Sequence, residues 1–190
     1  MALPQTKLID ADEFEQFIAR PENRDRNFEL IDGVIVEKPV PTDEHVLAVG
    51  SLIFFLSLYA REHKLGRPGP ELRVRLAGNS RNARQPDVSM ILDPSVAIVR
   101  RGAMPVMPDV IAEVKSPDDG YDEMREKARF YIANGAKLVW LVFPAPQIVE
   151  VYRPNEPSDI LTINDSLDGF DVMPGFSVPI REILTATRAG

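Results

Sequence analysis

The chain has 190 residues, 44% of them hydrophobic and 27% charged, which suits one well-buried soluble domain and leaves little room for a second. It contains no cysteine, so disulfides, thiolate catalysis and cysteine-held zinc are excluded. A net charge of −7 and a pI near 4.9 argue against a protein that grips nucleic acid by a broad basic surface.

Residues 1–7 lack a basic segment followed by a long apolar core, so no signal peptide is expected, and a reducing cytoplasm suits the cysteine-free composition. Residues 10–20 place Phe14, Phe17 and Ile18 at helical spacing, and Pro21 ends the run. Residues 28–37 carry Asp32-Gly33 between two apolar stretches, a hairpin signal. Pro39 and Pro41 close the second strand, and Thr42 or Asp43 can cap the helix that follows, which runs to about His63 with Gly66 beyond it. Its most apolar part, residues 46–60, is short and interrupted by Ser51 and Ser57, so a buried helix is expected rather than a membrane span.

Residues 72–76 alternate apolar and basic and read as a half-exposed strand. Further strands are expected at 88–92 and 110–115, with a short strand or turn at 97–99 between them. Asp118 or Asp119 can cap a helix over 121–134, whose early acidic residues suit the helix dipole. Residues 138–143 form a nearly continuous apolar strand, central in a sheet, and 148–152 pairs beside it. Short edge strands and a terminal helical turn are expected in 160–163, 169–172 and 176–184. The fold class expected is α+β, a single domain over residues 1–190 with a mixed central sheet.

Two segments carry the chemistry: Gln85-Pro86-Asp87-Val88 opens one apolar run, and Glu113-Val114-Lys115 ends another. In a strand, Glu113 and Lys115 lie two apart and share a face. With Asp87 on a neighbouring strand, two carboxylates and an ammonium then meet at a strand end. Phosphodiester hydrolysis needs a metal to activate water and offset charge on the phosphate. Mg2+ takes oxygen ligands from one or two carboxylates plus waters, and Asp87, Glu113 and the Val114 carbonyl supply such a set, with Mn2+ as a substitute. Lys115 beside them can orient or deprotonate the attacking water, or stabilise the pentacoordinate phosphate. The plainer alternative is an ordinary solvated ion pair of Glu113 with Lys115. Arg73, Arg75, Arg81 and Arg84 before Asp87, and Arg100 and Arg101 after it, make the local field more positive than the net charge.

Phe28-Glu29-Leu30-Ile31-Asp32-Gly33, Glu44-His45, Gln85-Pro86-Asp87-Val88 and the run Pro108-Asp109-Val110-Ile111-Ala112-Glu113-Val114-Lys115-Ser116-Pro117 occur in that order. Lys127, Tyr131, Gly135 and Val139-Trp140-Leu141-Val142 follow. As an ordered set over about residues 14–184, they resemble the Uma family of bacterial restriction endonucleases, a branch of the PD-(D/E)XK nuclease superfamily. The resemblance implies a restriction-endonuclease-like mixed sheet flanked by helices, magnesium dependence, DNA as substrate and a homodimer. Pro86-Asp87 matches the PD element and Glu113-Val114-Lys115 the (D/E)XK element. Glu29 matches an acidic position ahead of them that in the superfamily adds a metal ligand or positions water. Many members continue the tryptophan strand into Val-Asp-Pro, where this chain has Val142-Phe143-Pro144; many also lack the lysine that this chain keeps as Lys115.

Other residues have plainer readings. Asp32 suits the turn, and Glu29 also reads as a solvated or cross-strand paired carboxylate. His45 reads as a surface or capping residue, and Arg125 and Lys127 as a solvated helix face from which Lys127 can reach a phosphate. Tyr131 and Trp140 read as core aromatics, and Ser116 has no base near it in sequence to make it a nucleophile. The leading reading is a magnesium-dependent DNA endonuclease. Its rivals are a nuclease fold that no longer cuts and serves as a binding or assembly module, and a hydrolase acting on RNA or nucleotides.

Overall fold

The computed structural model describes residues 8–184; the segment 1–7, read above as lacking a signal peptide, lies outside them. The described chain divides into two units, one of residues 8–40, 73–85 and 99–106, the other of 41–72, 86–98 and 107–184.

In the first unit, helix α1 (Ala11–Ile18) begins at a capping box. The Asp10 carboxylate accepts the Asp12 and Glu13 N–H groups at 2.9 and 2.8 Å, and Glu13 reaches back to the Asp10 N–H at 3.2 Å. Ala11 and Phe14 pack with Phe28, Leu30 and Ala83. Strands β1 (Phe28–Ile31) and β2 (Val34–Glu37) form the expected hairpin, Phe28 opposite Glu37. Its turn residues Asp32 and Gly33 have φ of 49° and 86°, the left-handed pair that a tight two-residue turn requires. Asn82 locks that turn, donating to the Asp32 carboxylate at 2.9 Å and accepting the Asp32 N–H at 3.2 Å.

Residues 72–76 form no strand; Val74 makes isolated bridges to Arg84 and Met104. Their alternation serves α1 instead: Arg73 pairs with Glu15 at 3.9 Å and Arg75 with Asp12 at 2.8 Å. Two members of the basic cluster are thus offset by acidic side chains within their own unit.

The second unit is built on a six-stranded sheet of order β3 (Arg67–Pro70), β4 (Val88–Ile91), β5 (Val110–Val114), β6 (Leu138–Phe143), β7 (Ile148–Tyr152) and β8 (Asp159–Thr162). Only β5 and β6 run parallel, joined through helix α3 (Tyr121–Ala133); every other neighbouring pair is antiparallel. β6 is buried along its whole length because both sheet faces are covered. Val88, Met90, Ala112, Val114, Trp140 and Val142 share one core with helix α2 (Asp43–Glu62) and, beyond β9 (Ser166–Asp168) and β10 (Ser177–Pro179), helix α4 (Ile180–Leu184). Ile111, Val139, Leu141 and Phe143 share the other with Met124, Ala128 and Tyr131 of α3. The alternation assigns Glu113 to the α3 side.

Several expectations shift locally. Residues 97–99 form no strand, and 169–172 are turn, the short strand falling earlier at β9. Gly120, not Asp118 or Asp119, precedes α3, because Asp119 instead closes its own turn by accepting the Ser116 N–H at 2.6 Å. Edge strand β3 was hidden by its composition, Arg-Pro-Gly-Pro, which only a sheet edge tolerates. Gly66 leads into it, and a Cβ there would lie 2.2 Å from the Ile91 carbonyl oxygen. Gly66→Ala is therefore expected to destabilise the protein by about 1–3 kcal/mol, read as a lower midpoint in urea unfolding.

Glu150 on β7 is buried, and Arg125 of α3, read as a solvated helix face, reaches it with Nε at 3.1 Å and a terminal nitrogen at 2.6 Å. The Tyr152 hydroxyl donates to it at 2.8 Å. The Arg125 hydrogen bonds first, then that of Tyr152, hold the Glu150 carboxyl below the usual carboxylate range. A depressed folded-state pKa gives stability that is present above the unfolded value of about 4.3 and lost as pH falls through the folded one. Glu150→Gln should cost about 1–2 kcal/mol near neutrality, discounting for the exposed Arg125 end. In thermal melts from pH 7 down to pH 3, the gap between wild type and variant should narrow below about pH 4.5.

Candidate active site

The pairing Val88↔Ala112 between β4 and β5, extended by one residue, sets Asp87 opposite Glu113. Asp87 is still held in the ladder, since its carbonyl accepts the Glu71 N–H at 3.2 Å. Both carboxylates are buried, at 5% and 3% exposure, which is costly unless each is given donors or a cation.

Glu113 Oε1 accepts the Tyr131 hydroxyl at 2.7 Å and lies 3.8 Å from the Lys127 ammonium. Lys127 and Tyr131 are one helical turn apart on α3 and so present to the same strand. Asp87 Oδ2 accepts the Val114 N–H at 2.8 Å, a direct link between the two motif segments. His45 stands in the first turn of α2, its N–H accepted by the capping Thr42 hydroxyl at 3.3 Å. Its ring lies between two groups, Nε2 3.6 Å from Asp87 Oδ2 and Nδ1 3.3 Å from Ser116 Oγ. A cavity of about 180 Å³ opens beside it, lined by His45, Asp87, Glu71, Pro41, Pro70 and Val46, among others.

Lys115 follows Glu113 along β5, its N–H continuing the parallel ladder to the Val142 carbonyl at 2.9 Å. Its ammonium turns into its own loop, donating to the Ser116 and Pro117 carbonyls at 2.9 and 3.3 Å, and sits 5.0 Å above the centre of the Tyr121 ring. Glu29 belongs to the first unit, where it is buried and its Oε1 accepts the Gln85 N–H at 2.7 Å. Asp87 is thus tied to the backbone of Val114, beside Glu113, while its carboxylate meets His45 of α2 and that of Glu113 meets Tyr131 and Lys127 of α3. Lys115 joins Glu113 and Val114 by its backbone, with its ammonium bonded to its own loop.

Tyr131 is the core aromatic expected, but the sequence did not foretell its bond to Glu113, the approach of Lys127 to the same carboxylate, or that of His45 to Asp87. The i, i+4 spacing of Lys127 and Tyr131 on a predicted helix was a usable signal, because it puts a cation and a hydroxyl on one stripe. Nothing local in the sequence marks the contact of His45 with Asp87 and Ser116, which depends on how α2 docks on the sheet.

Among the described residues no group of three or more histidine, cysteine, aspartate or glutamate side chains is placed to hold a metal. Asp87, Glu113 and the Val114 carbonyl, the ligands expected from the sequence, are all oxygen donors, the type that magnesium takes together with several waters. The donor chemistry fits the ion.

A mixed sheet covered by helices, with an aspartate just before one strand and a glutamate on the next, is the frame of a restriction-endonuclease-like fold. A family model, Uma2, described as "Putative restriction endonuclease", matches residues 11–182, and the chain belongs to that family. The chain is also similar to a protein of Anabaena variabilis ATCC 29413 whose crystal structure is described as that of "a putative nuclease belonging to DUF820". The TM-score is 0.79 at 22% identity, over 93% of this chain and 98% of that one, a likeness that establishes the fold. No curated protein matches the chain.

Proposed function

We propose that the protein is a magnesium-dependent endonuclease that hydrolyses DNA phosphodiester bonds. The family supports nuclease action, and the observation that carries the reading is the burial of Asp87, just before β4, and of Glu113 on the adjoining β5. Asp87, Glu113 and the Val114 carbonyl would hold magnesium, which when bound supplies Lewis-acid stabilisation of charge on the scissile phosphate. Lys127 and Tyr131 hold Glu113 in place from α3, and the Val114 N–H and His45 hold Asp87. Lys115 is the group proposed to orient the attacking water. To do so its ammonium leaves the Ser116 and Pro117 carbonyls, a rotation that its flexible stem allows. A cytoplasmic homodimer completes the proposal, since two-fold symmetry suits cutting both strands of a duplex.

The test is incubation of purified protein with supercoiled plasmid, linear duplex DNA and single-stranded RNA, with magnesium and with excess chelator. Nicked or linear DNA that appears only with magnesium is expected. Cleavage of RNA alone would move the substrate to that polymer. No cleavage of any substrate, with no magnesium or manganese uptake by calorimetry, would favour the non-cutting module, for which the net charge of −7 and the internal pairing of Arg73 and Arg75 speak.

A further inference from the structure

Residues 115–121 build a seat for an ammonium out of a turn and a ring. The Ser116 carbonyl accepts the Asp119 N–H at 3.1 Å, and the Ser116 N–H donates to the Asp119 carboxylate at 2.6 Å, so the turn is fixed from both sides. Ser116 is buried, and its Oγ lies 3.3 Å from His45 Nδ1. Tyr121 opens α3 at the end of this turn, and its ring stacks on Phe143 of β6, the centroids 5.2 Å apart and the planes 20° from parallel. Phe143 is fully buried and gives the half-exposed Tyr121 ring a fixed floor.

The Lys115 ammonium occupies that seat. It donates to the Ser116 and Pro117 carbonyls at 2.9 and 3.3 Å, and the centre of the Tyr121 ring lies 5.0 Å from it. A lysine without such contacts keeps its ammonium in water, because the stem is flexible and the head strongly hydrated. Here two carbonyl dipoles and the negative face of a ring take the place of that water, each favouring the charged group where it is. Both carbonyls belong to the loop beyond β5, whereas the carboxylates of Asp87 and Glu113 meet α2 and α3.

We propose that Tyr121 is a positioning residue that restrains cleavage by holding the Lys115 ammonium at rest. The ring and the carbonyls stabilise the seated pose, so the ammonium reaches the attacking water only in the fraction of molecules in which it has left them. A phosphate oxygen of the substrate, being charged, is a stronger acceptor than either carbonyl and draws the ammonium out. The inference rests on the reading in which Lys115 acts on the attacking water, and adds to it a restraint set by one aromatic side chain.

Single-turnover nicking at saturating magnesium, with DNA below saturation, tests it in Tyr121→Leu and Tyr121→Phe. Losing the ring should raise the rate about two- to fivefold, the range of one cation–π contact, and the phenylalanine variant, which keeps a ring, should bring it back to the wild-type value. Proton–carbon NMR of lysine-labelled protein, without metal or DNA, reads the seat itself. The ε-methylene resonance of Lys115, identified by its loss in Lys115→Arg, should stand upfield of the other lysines through the ring current of Tyr121. It should stay there in Tyr121→Phe and join the others in Tyr121→Leu. A Tyr121→Leu rate equal to or below wild type in a chain that melts cooperatively, or a wild-type Lys115 resonance among the others, would overturn the proposal. Wild-type cleavage by Lys115→Ala would overturn it by a different route, removing the role of Lys115 while leaving the shifted resonance in place.

Discussion

Asp87→Asn and Glu113→Gln are each expected to lower the DNA cleavage rate by about 10²–10³-fold while leaving the fold intact. Both substitutions keep shape and one acceptor oxygen. An asparagine carbonyl at 87 can still take the Val114 N–H, and a glutamine carbonyl at 113 can still take the Tyr131 hydroxyl. What is lost is one negative charge in a buried place, the property that a divalent cation needs and a structural hydrogen bond does not. Single-turnover nicking at rising magnesium, beside thermal melts, separates the two roles. A collapsed rate is expected with a cooperative melt retained, the melting temperature of Glu113→Gln falling somewhat because Lys127 loses its charged neighbour. Wild-type cleavage by both variants would remove Asp87 and Glu113 from the chemistry.

The two lysines should divide in the same assay. Lys115→Ala is expected to lower the maximal rate by about 10²-fold with little change in the magnesium needed for half-saturation, as suits a group acting on the attacking water. Lys127→Met should do the reverse, because Lys127 touches Glu113 rather than the reacting atoms. Groups that steady a ligand typically change metal affinity by about 10–100-fold. If Lys127→Met lost the rate while Lys115→Ala kept it, the water-orienting role would move to α3. The tie of Lys115 to the Ser116 and Pro117 carbonyls makes that comparison informative, since it prices the rotation this side chain must undergo.

Much of this frame was legible in the sequence because the relevant signals are local. The Asp32-Gly33 turn, the Thr42 cap and the uninterrupted apolar run of β6 each follow from backbone sterics, capping or burial on two faces. The adjacency of the Asp87 and Glu113 segments was assumed from the two apolar runs and the ordered motifs, since alternation fixes a face but neither the pairing of two strands nor their register. Where contacts are distant, the reading failed. Arg73 and Arg75 resembled a strand because their partners, Glu15 and Asp12, lie about 60 residues away on α1. β3 was invisible since two prolines forbid any strand except one at an edge, and no local pattern announces an edge. His45 looked like surface until α2 met the sheet, and Arg125 looked solvated until Glu150 was placed beneath it.

On the proposed reading, Asp87 and Glu113 jointly hold a divalent cation. Crystals soaked in manganese, with diffraction recorded to give its anomalous signal, measure that without recourse to activity. One peak is expected within about 2.0–2.3 Å of a carboxylate oxygen of each residue, abolished in Glu113→Gln. A peak elsewhere, or none at a manganese concentration that supports cleavage, would contradict it.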